Sequence, residues 1–192
     1  KDRRFKESIE QTIMPLDQLD RAYQRFLEID RQEFEKYWQN KNPQFFALGG
    51  AGLKDKDVSR LNKCQELIWL DLSRNPITNQ ALNSLTDLRS LNQLFLDTTA
   101  ITDEGMKSIA KISNLQELDL ANTRITDQGI GRLKPLRELQ VLWLADSMVS
   151  DQCLDDLATL PKLQMVDLRR TDVTEQGVTK LKNKKPQLRV LH

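Results

Sequence analysis

Leucine and isoleucine return along most of the chain at a fixed interval of 24 residues. One period, from Leu115 to Ile130, has the pattern Leu-x-x-Leu-x-Leu-x-x-Thr-x-Ile-Thr-Asp-x-Gly-Ile. The same register starts at Leu67, Leu91, Leu115, Leu139 and Leu163, and at Leu188 after a one-residue insertion. A degenerate earlier copy includes Phe46, Leu48 and Leu53. A repeat of this length predicts a solenoid, in which each coil packs only on its neighbours.

The first part of each period predicts a short strand. Its apolar and polar residues alternate, which places Leu118 and Leu120 inward and Glu117, Asp119 and Ala121 on the other side. Successive strands then form a parallel ladder. A short polar residue follows each strand, and we expect it to hydrogen-bond the turn backbone of the neighbouring coil. These residues are Asn75, Thr99, Thr123, Ser147 and Thr171.

The second part of each period predicts a short helix. Thr126 is placed as its N-cap, and Asp127 falls in the first turn, where an acid favours the positive end of the helix dipole. Ile130 and Leu133 supply the inward stripe. We expect Gly129 to let the helix approach the strand layer, and Cys153 takes the equivalent position two residues after Asp151.

This pattern resembles the leucine-rich repeat family, and it is similar to the bacterial variety of 24 residues with Thr in place of the usual Asn. The resemblance covers residues 44–192, as about six repeats and a truncated terminal strand. It implies an α/β fold, a right-handed solenoid with parallel strands on the concave face and short helices on the convex face. It leaves the ligand open, since members of the family serve many unrelated partners.

The two ends depart from the repeat. Residues 1–43 have no repeat register and predict an N-terminal helical cap, with an independent interaction domain as the alternative. Near the C-terminus, Leu188, Val190 and Leu191 begin another strand. Either that strand ends the domain or the natural protein continues. Because the chain starts at Lys1, we expect a processed or truncated piece.

Composition and motifs speak against catalysis. With 29 basic and 28 acidic residues, the charge gives no general reason to expect nucleic acid as a partner. No apolar run is long enough for a membrane span. The single histidine and the missing catalytic and phosphate-binding motifs predict a protein that is not an enzyme and holds no cofactor. A calcium ladder of stacked acids is disfavoured, because calcium-binding solenoids have a shorter repeat rich in Gly and Asp. We therefore expect no metal.

The two cysteines give a weak indication of compartment. Cys64 and Cys153 lie about 3.7 repeats apart, or about 18 Å in a stacked sheet, which is too far for a disulfide. We expect both to be small buried residues. Unpaired thiols favour a reducing compartment such as the cytoplasm, but the localisation stays open.

The outward strand positions are the candidate site, because the core does not require them. They combine aromatic, apolar and acidic residues, which are typical of a protein-binding patch when they are exposed. The candidate residues on this face are Trp69, Asp71, Phe95, Asp97, Glu117, Asp119, Val141, Trp143, Met165, Asp167 and Arg169. For Phe45 and Trp69, packing against the N-terminal helices is an equally good interpretation.

Three hypotheses for function follow. The first is a non-enzymatic protein-protein interaction module, expected to be monomeric, that binds a protein or peptide on its concave face. The second is the targeting part of a larger enzyme or membrane-attached protein whose activity lies outside this sequence. The third is a structural spacer, for which substitutions on the concave face would have no effect.

Overall fold

The computed structural model describes residues 44–192, all within one compact unit, Asn40–His192. Seven strands recur along these residues, one in each period. They are β1 Phe45–Ala47, β2 Trp69–Asp71, β3 Gln93–Phe95, β4 Glu117–Asp119, β5 Val141–Trp143, β6 Met165–Asp167 and β7 Arg189–Leu191. The N-terminal cap predicted for residues 1–43 lies outside the described residues and stays a prediction.

All seven strands form one parallel sheet in sequential order. Each strand pairs with the equivalent residues of the next, so that Glu117 faces Gln93 on one side and Val141 on the other. The predicted parallel ladder and its register are therefore confirmed. Residues at the same position of successive periods lie in columns, about 4.8 Å apart.

Short helices return the chain from one strand to the next. The α-helices are α1 Asp55–Val58, α2 Asn79–Leu82, α3 Met106–Ile109, α4 Asp127–Gly131, α5 Leu154–Thr159 and α6 Glu175–Lys184. Tighter 3₁₀ segments adjoin them at Ser59–Lys63, Asn83–Leu85, Asp103–Gly105 and Asp151–Cys153. Within residues 44–192, no helix is both long and apolar enough to cross a membrane.

The core lies between the strands and the helices. Leu118, Leu120, Ile125 and Leu133 are all fully buried, as their positions in the repeat predict. Cys64 and Cys153 are also buried and are free thiols. Burial raises the pKa of both thiols, and at Cys153 the neighbouring Asp127 raises it further. Each cysteine therefore serves as a small apolar residue of the core.

The polar residues after the strands do not form the inter-coil ladder expected from the sequence. Thr123 Oγ1 donates to the carbonyl of Leu120 in its own coil at 2.5 Å, and Thr99 does the same with Leu96 at 2.6 Å. Asn75 differs, because its longer amide reaches the preceding coil. The hydroxyl side chains are too short for that bridge, so they close their own turns instead.

A different ladder joins the coils, and it uses the residue that follows the helix cap, which is an acid in most coils. The carboxylate of Asp103 accepts the backbone N–H of Thr126 at 2.9 Å and its hydroxyl at 2.6 Å. Asp55, Asp127 and Asp151 bind Thr78, Ser150 and Thr174 in the same way. The acid therefore links consecutive coils, a larger role than the dipole interaction expected from the sequence. At Asp151, these bonds from Thr174 lower the pKa of the carboxyl group.

The same ladder explains the glycine of the repeat. A Cβ at Gly105 would lie 2.6 Å from Oδ1 of Asn79, the residue that binds Thr102 of the next coil. At Gly129, the Cβ would collide with the carboxylate of Asp103. The expectation that glycine serves the approach of helix and strand is therefore incomplete, since it also leaves room for the side chain that joins two coils.

Asp103→Ala is expected to lower the free energy of unfolding by about 2 kcal/mol, because the N–H and hydroxyl of Thr126 lose their acceptor in a half-buried site. Asp103→Asn should recover most of this loss. Asn79 already fills the equivalent place, with Oδ1 accepting the Thr102 N–H and Nδ2 donating to its hydroxyl. Urea unfolding followed by circular dichroism measures both variants. If both variants lose the same free energy of unfolding, the effect comes from the charge of Asp103. That result would contradict a role based on its two hydrogen bonds to Thr126.

The turn that follows each strand contains a left-handed residue that is not glycine. These residues are Arg74, Thr98, Asn122, Asp146 and Arg170, with φ between 52° and 59°. Gly50 takes the corresponding place in the first coil. The conformation directs the N–H of Thr98 to the carbonyl of Ala121 at 3.0 Å, and that of Asn122 to Ala145 at 2.8 Å. The left-handed conformation carries some strain, and it allows the backbone hydrogen bonds of the sheet to continue into the turn.

Candidate protein-binding face

The outward side of the sheet, here called the strand face, carries three columns of side chains. They begin at Phe45, Ala47 and Gly49 in β1 and the turn that follows it, and they continue through each later coil. The middle column alternates acids and aromatic rings, as Asp71, Phe95, Asp119, Trp143 and Asp167. All eleven candidate residues lie on this one face. Trp69 and Arg169 are the outermost of these candidates, four strand spacings or about 19 Å apart along the sheet.

The expected exposure of the aromatic residues is wrong. Trp69 is 5% exposed, and Phe95 and Trp143 are each 6% exposed. Most of the acids are also buried: Glu117 is 5% exposed, and Asp97, Asp119 and Asp167 are buried as well. The apolar candidate Val141 is buried too. Asp71 and Met165 are half-buried, and Arg169 is exposed. The alternation of the repeat gives the direction of these side chains correctly, but direction alone does not make them accessible.

Glu117 is the centre of a polar cluster on the strand face. Its Oε1 accepts the indole N–H of Trp143 at 2.9 Å, and its Oε2 accepts the amide N–H of Gln93 at 3.1 Å. A buried carboxylate requires donors of this kind, because loss of hydration otherwise disfavours its charge. Gln93 was not among the predicted site residues. Its column position beside Glu117 is the signal that identifies it.

The aspartates of the middle column are bound by their own turns. Asp71, Asp119 and Asp167 each accept the backbone N–H two residues ahead, at 2.8, 2.9 and 3.1 Å. Arg169 also places its guanidinium on Asp167, with Nε to Oδ1 at 2.9 Å and the second nitrogen to Oδ2 at 2.6 Å. This pairing raises the pKa of Arg169. The aromatic partners in the column are arranged too, since the rings of Trp69 and Phe95 lie 5.4 Å apart at 45°.

Comparison with known proteins identifies the repeat. A family model described as "Leucine Rich repeat" matches residues 111–133. The fold is similar to internalin C2 from Listeria monocytogenes, with a TM-score of 0.58 and 31% identity over 69% of this chain. Residues 44–192 form a leucine-rich-repeat domain. The assignment to this family, which the Thr-containing pattern predicted, is thus confirmed.

A second similar structure is a leucine-rich-repeat protein of Leptospira interrogans, with a TM-score of 0.54 and 23% identity over 70% of this chain. The chain spans 54% of the length of internalin C2 and 33% of the Leptospira protein. Among curated protein sequences, none matches it. Both similar structures come from bacteria, which agrees with the bacterial repeat type.

The leucine-rich-repeat fold is typical of protein-protein interaction modules, whose members are in general not enzymes. Within residues 44–192, no group of three or more His, Cys, Asp or Glu side chains is arranged to hold a metal ion. The acids that stack from coil to coil instead accept hydrogen bonds from Thr and Ser of the next coil.

Proposed function

We propose that this leucine-rich-repeat domain is a non-enzymatic recognition module that binds a protein or peptide on its strand face. The observation that supports this most strongly is the in-register column of alternating acids and aromatic rings. The core does not require such a column, because Leu118, Leu142 and Leu120 already fill the interior. Because these buried residues are held in fixed positions, the surface above them loses little conformational entropy when a partner binds, which favours recognition.

The most exposed of the candidate residues, Arg169, lies toward the C-terminal end of the strand face. Met165 is half-buried, and the side chain of Arg169 is 51% exposed while its guanidinium stays on Asp167. A flexible apolar side chain and an oriented guanidinium on the same face suit a partner that offers an apolar contact and a carboxylate. We infer that the partner makes its first contacts at Met165 and Arg169. The buried cluster around Glu117 then keeps the surface beneath them rigid.

The test places a photo-crosslinking residue at Met165 and, as a matched control, at Gln152, which is exposed on the 3₁₀ segment of the helical side. Cells or extracts that contain the native partner are irradiated, and the cross-linked protein is identified by mass spectrometry. We expect a discrete adduct from position 165 and none from position 152. An adduct from position 152 alone would move the binding surface to the helical side and contradict the proposal.

The partner found in this way permits a quantitative measurement. Arg169→Ala is expected to weaken its binding by roughly 1 kcal/mol or more, equivalent to about a fivefold rise in Kd. Lys182→Ala removes a charge from the exposed helical side and should leave Kd unchanged. Calorimetric titration compares both variants with the parent chain. Unchanged binding by Arg169→Ala would remove this residue from the interface.

A second candidate function is the recognition part of a larger enzyme or membrane-attached protein. It is favoured by the lengths of the similar proteins, since this chain spans about half of internalin C2 and a third of the Leptospira protein. In this arrangement the strand face selects the target, and another segment supplies the activity. The complete reading frame distinguishes the two functions, because a catalytic or membrane-spanning segment in it would favour the second.

A further inference from the structure

An exposed column runs beside the strand face, at the position that follows the polar turn residue of each coil. This rim column consists of Pro76, Ala100, Arg124, Met148 and Asp172, one residue in each coil, and all five are exposed. The backbone holds them in line. The N–H groups of Arg124, Met148 and Asp172 donate to carbonyls of the preceding coil at 3.2, 2.9 and 3.0 Å.

Met148 is the unusual member of the rim column. This residue is 52% exposed, and it is the large hydrophobic residue that is exposed to solvent within residues 44–192. The other apolar members of the column, Pro76 and Ala100, are smaller. A single exposed methionine is ordinary on a protein surface, so its neighbours decide whether it has a role.

The neighbours of Met148 in the rim column carry opposite charges. Arg124 lies one coil before it and Asp172 one coil after it, about 10 Å from each other along the column. Within the described part of the chain, neither of them forms an ion pair. Arg170 and Asp146 in the adjacent turns differ, since they bind each other through two hydrogen bonds. The charges of Arg124 and Asp172 therefore remain available to a partner.

The order Arg124, Met148, Asp172 is complementary to itself. A twofold axis through Met148 would bring Arg124 of one copy opposite Asp172 of the other, and the reverse, with the two methionines in contact at the centre. Such an arrangement is an isologous interface, in which the same patch serves both copies. We propose that the chain forms a symmetric dimer through the rim column. This replaces the monomer expected from the sequence and leaves the strand face available for another protein.

The size of the patch indicates the strength of the dimer. The five residues of the rim column extend over about 19 Å, and exposed ion pairs contribute little each. The interface is therefore at the small end of those that proteins use, and the dimer should be weak and dependent on concentration. High salt should weaken it further, because both ion pairs are open to solvent.

Sedimentation velocity of the 192-residue chain, from about 10 μM to 1 mM, tests the proposal. We expect a concentration-dependent shift from monomer toward dimer. Arg124→Asp should abolish it, because two aspartates then face each other at both contacts. Asp172→Arg should abolish it as well, since it opposes two arginines. An equimolar mixture of the two variants should restore the dimer, since each contact again joins an aspartate to an arginine.

The matched controls are Arg89→Asp and Asp87→Arg, which make the same changes of charge at exposed positions outside the rim column. These variants should dimerise like the parent chain. A parent chain that stays monomeric at 1 mM would overturn the proposal. So would a parent dimer that survives Arg124→Asp, or a mixture of variants that stays monomeric, because either result places the contact elsewhere.

Discussion

Trp143→Ala is expected to lower the free energy of unfolding by about 3–5 kcal/mol, the range for removal of a large buried aromatic side chain. Trp143 is 6% exposed, so nearly the whole indole surface leaves water on folding. The substitution also removes the N–H that Glu117 accepts at 2.9 Å. The carboxylate would lose a donor in a buried position, which adds to the loss of packing.

Trp143→Phe separates the two contributions. It keeps an aromatic ring in the column and removes the N–H, so we expect a loss of about 1–2 kcal/mol. Gln93→Leu removes a second donor to Glu117 and tests whether the bonds from Trp143 and Gln93 act together. Urea unfolding of the three variants and the Trp143→Phe/Gln93→Leu double variant measures the coupling. A Trp143→Ala protein within 1 kcal/mol of the parent would show that the cluster is not part of the fold.

The expected loss of stability changes how binding experiments on this domain are interpreted. A weaker complex after Trp143→Ala would combine a lost contact with a disturbed strand face, so it does not identify Trp143 as a binding residue. Arg169 and Met165 are better positions for substitution. Their side chains are more accessible, and the core retains Val166 and Leu168 on either side of Asp167.

The fold could be predicted because every period places apolar residues at the same positions, so every coil must bury them in the same way. Leu118 and Leu120 must enter the core, so the strand direction, the register and the columns follow from their spacing. The face that holds the candidate residues could be predicted for the same reason. Accessibility could not, because alternation determines which side of the strand Phe95 occupies and not what surrounds its ring.

The inter-coil hydrogen bonds and the left-handed turns could not be predicted from the sequence, because the residues that form them also have simpler explanations. Asp103 after a helix cap is explained by the helix dipole alone, yet its carboxylate joins two coils. The left-handed turns were hidden for a similar reason. Thr98 and Arg74 have φ of 58° and 56°, although neither is the glycine that usually marks this conformation. Only the inter-coil backbone bonds of the structure explain their geometry.

Asn75→Ala is expected to lower the free energy of unfolding by about 3 kcal/mol, because several buried backbone groups lose their partners together. Asn75 is 2% exposed. Its Oδ1 accepts the N–H of Leu53 at 2.9 Å, and its Nδ2 donates to the carbonyl of Leu48 at 2.8 Å, both in the preceding coil. The same amide also binds the carbonyl of Leu72 at 3.0 Å.

Asn75→Thr is the matched control, because threonine occupies this position in later coils and closes only its own turn. It should keep the bond to Leu72 and lose those to Leu48 and Leu53. We therefore expect its free energy of unfolding to lie between that of the parent chain and that of Asn75→Ala. Hydrogen exchange of the Leu53 amide reports the contact directly. Its protection should fall in both variants, since neither replaces the acceptor. Full protection of this amide in Asn75→Ala would show that the first two coils are joined by other contacts, and that the asparagine is only a turn residue like the threonines.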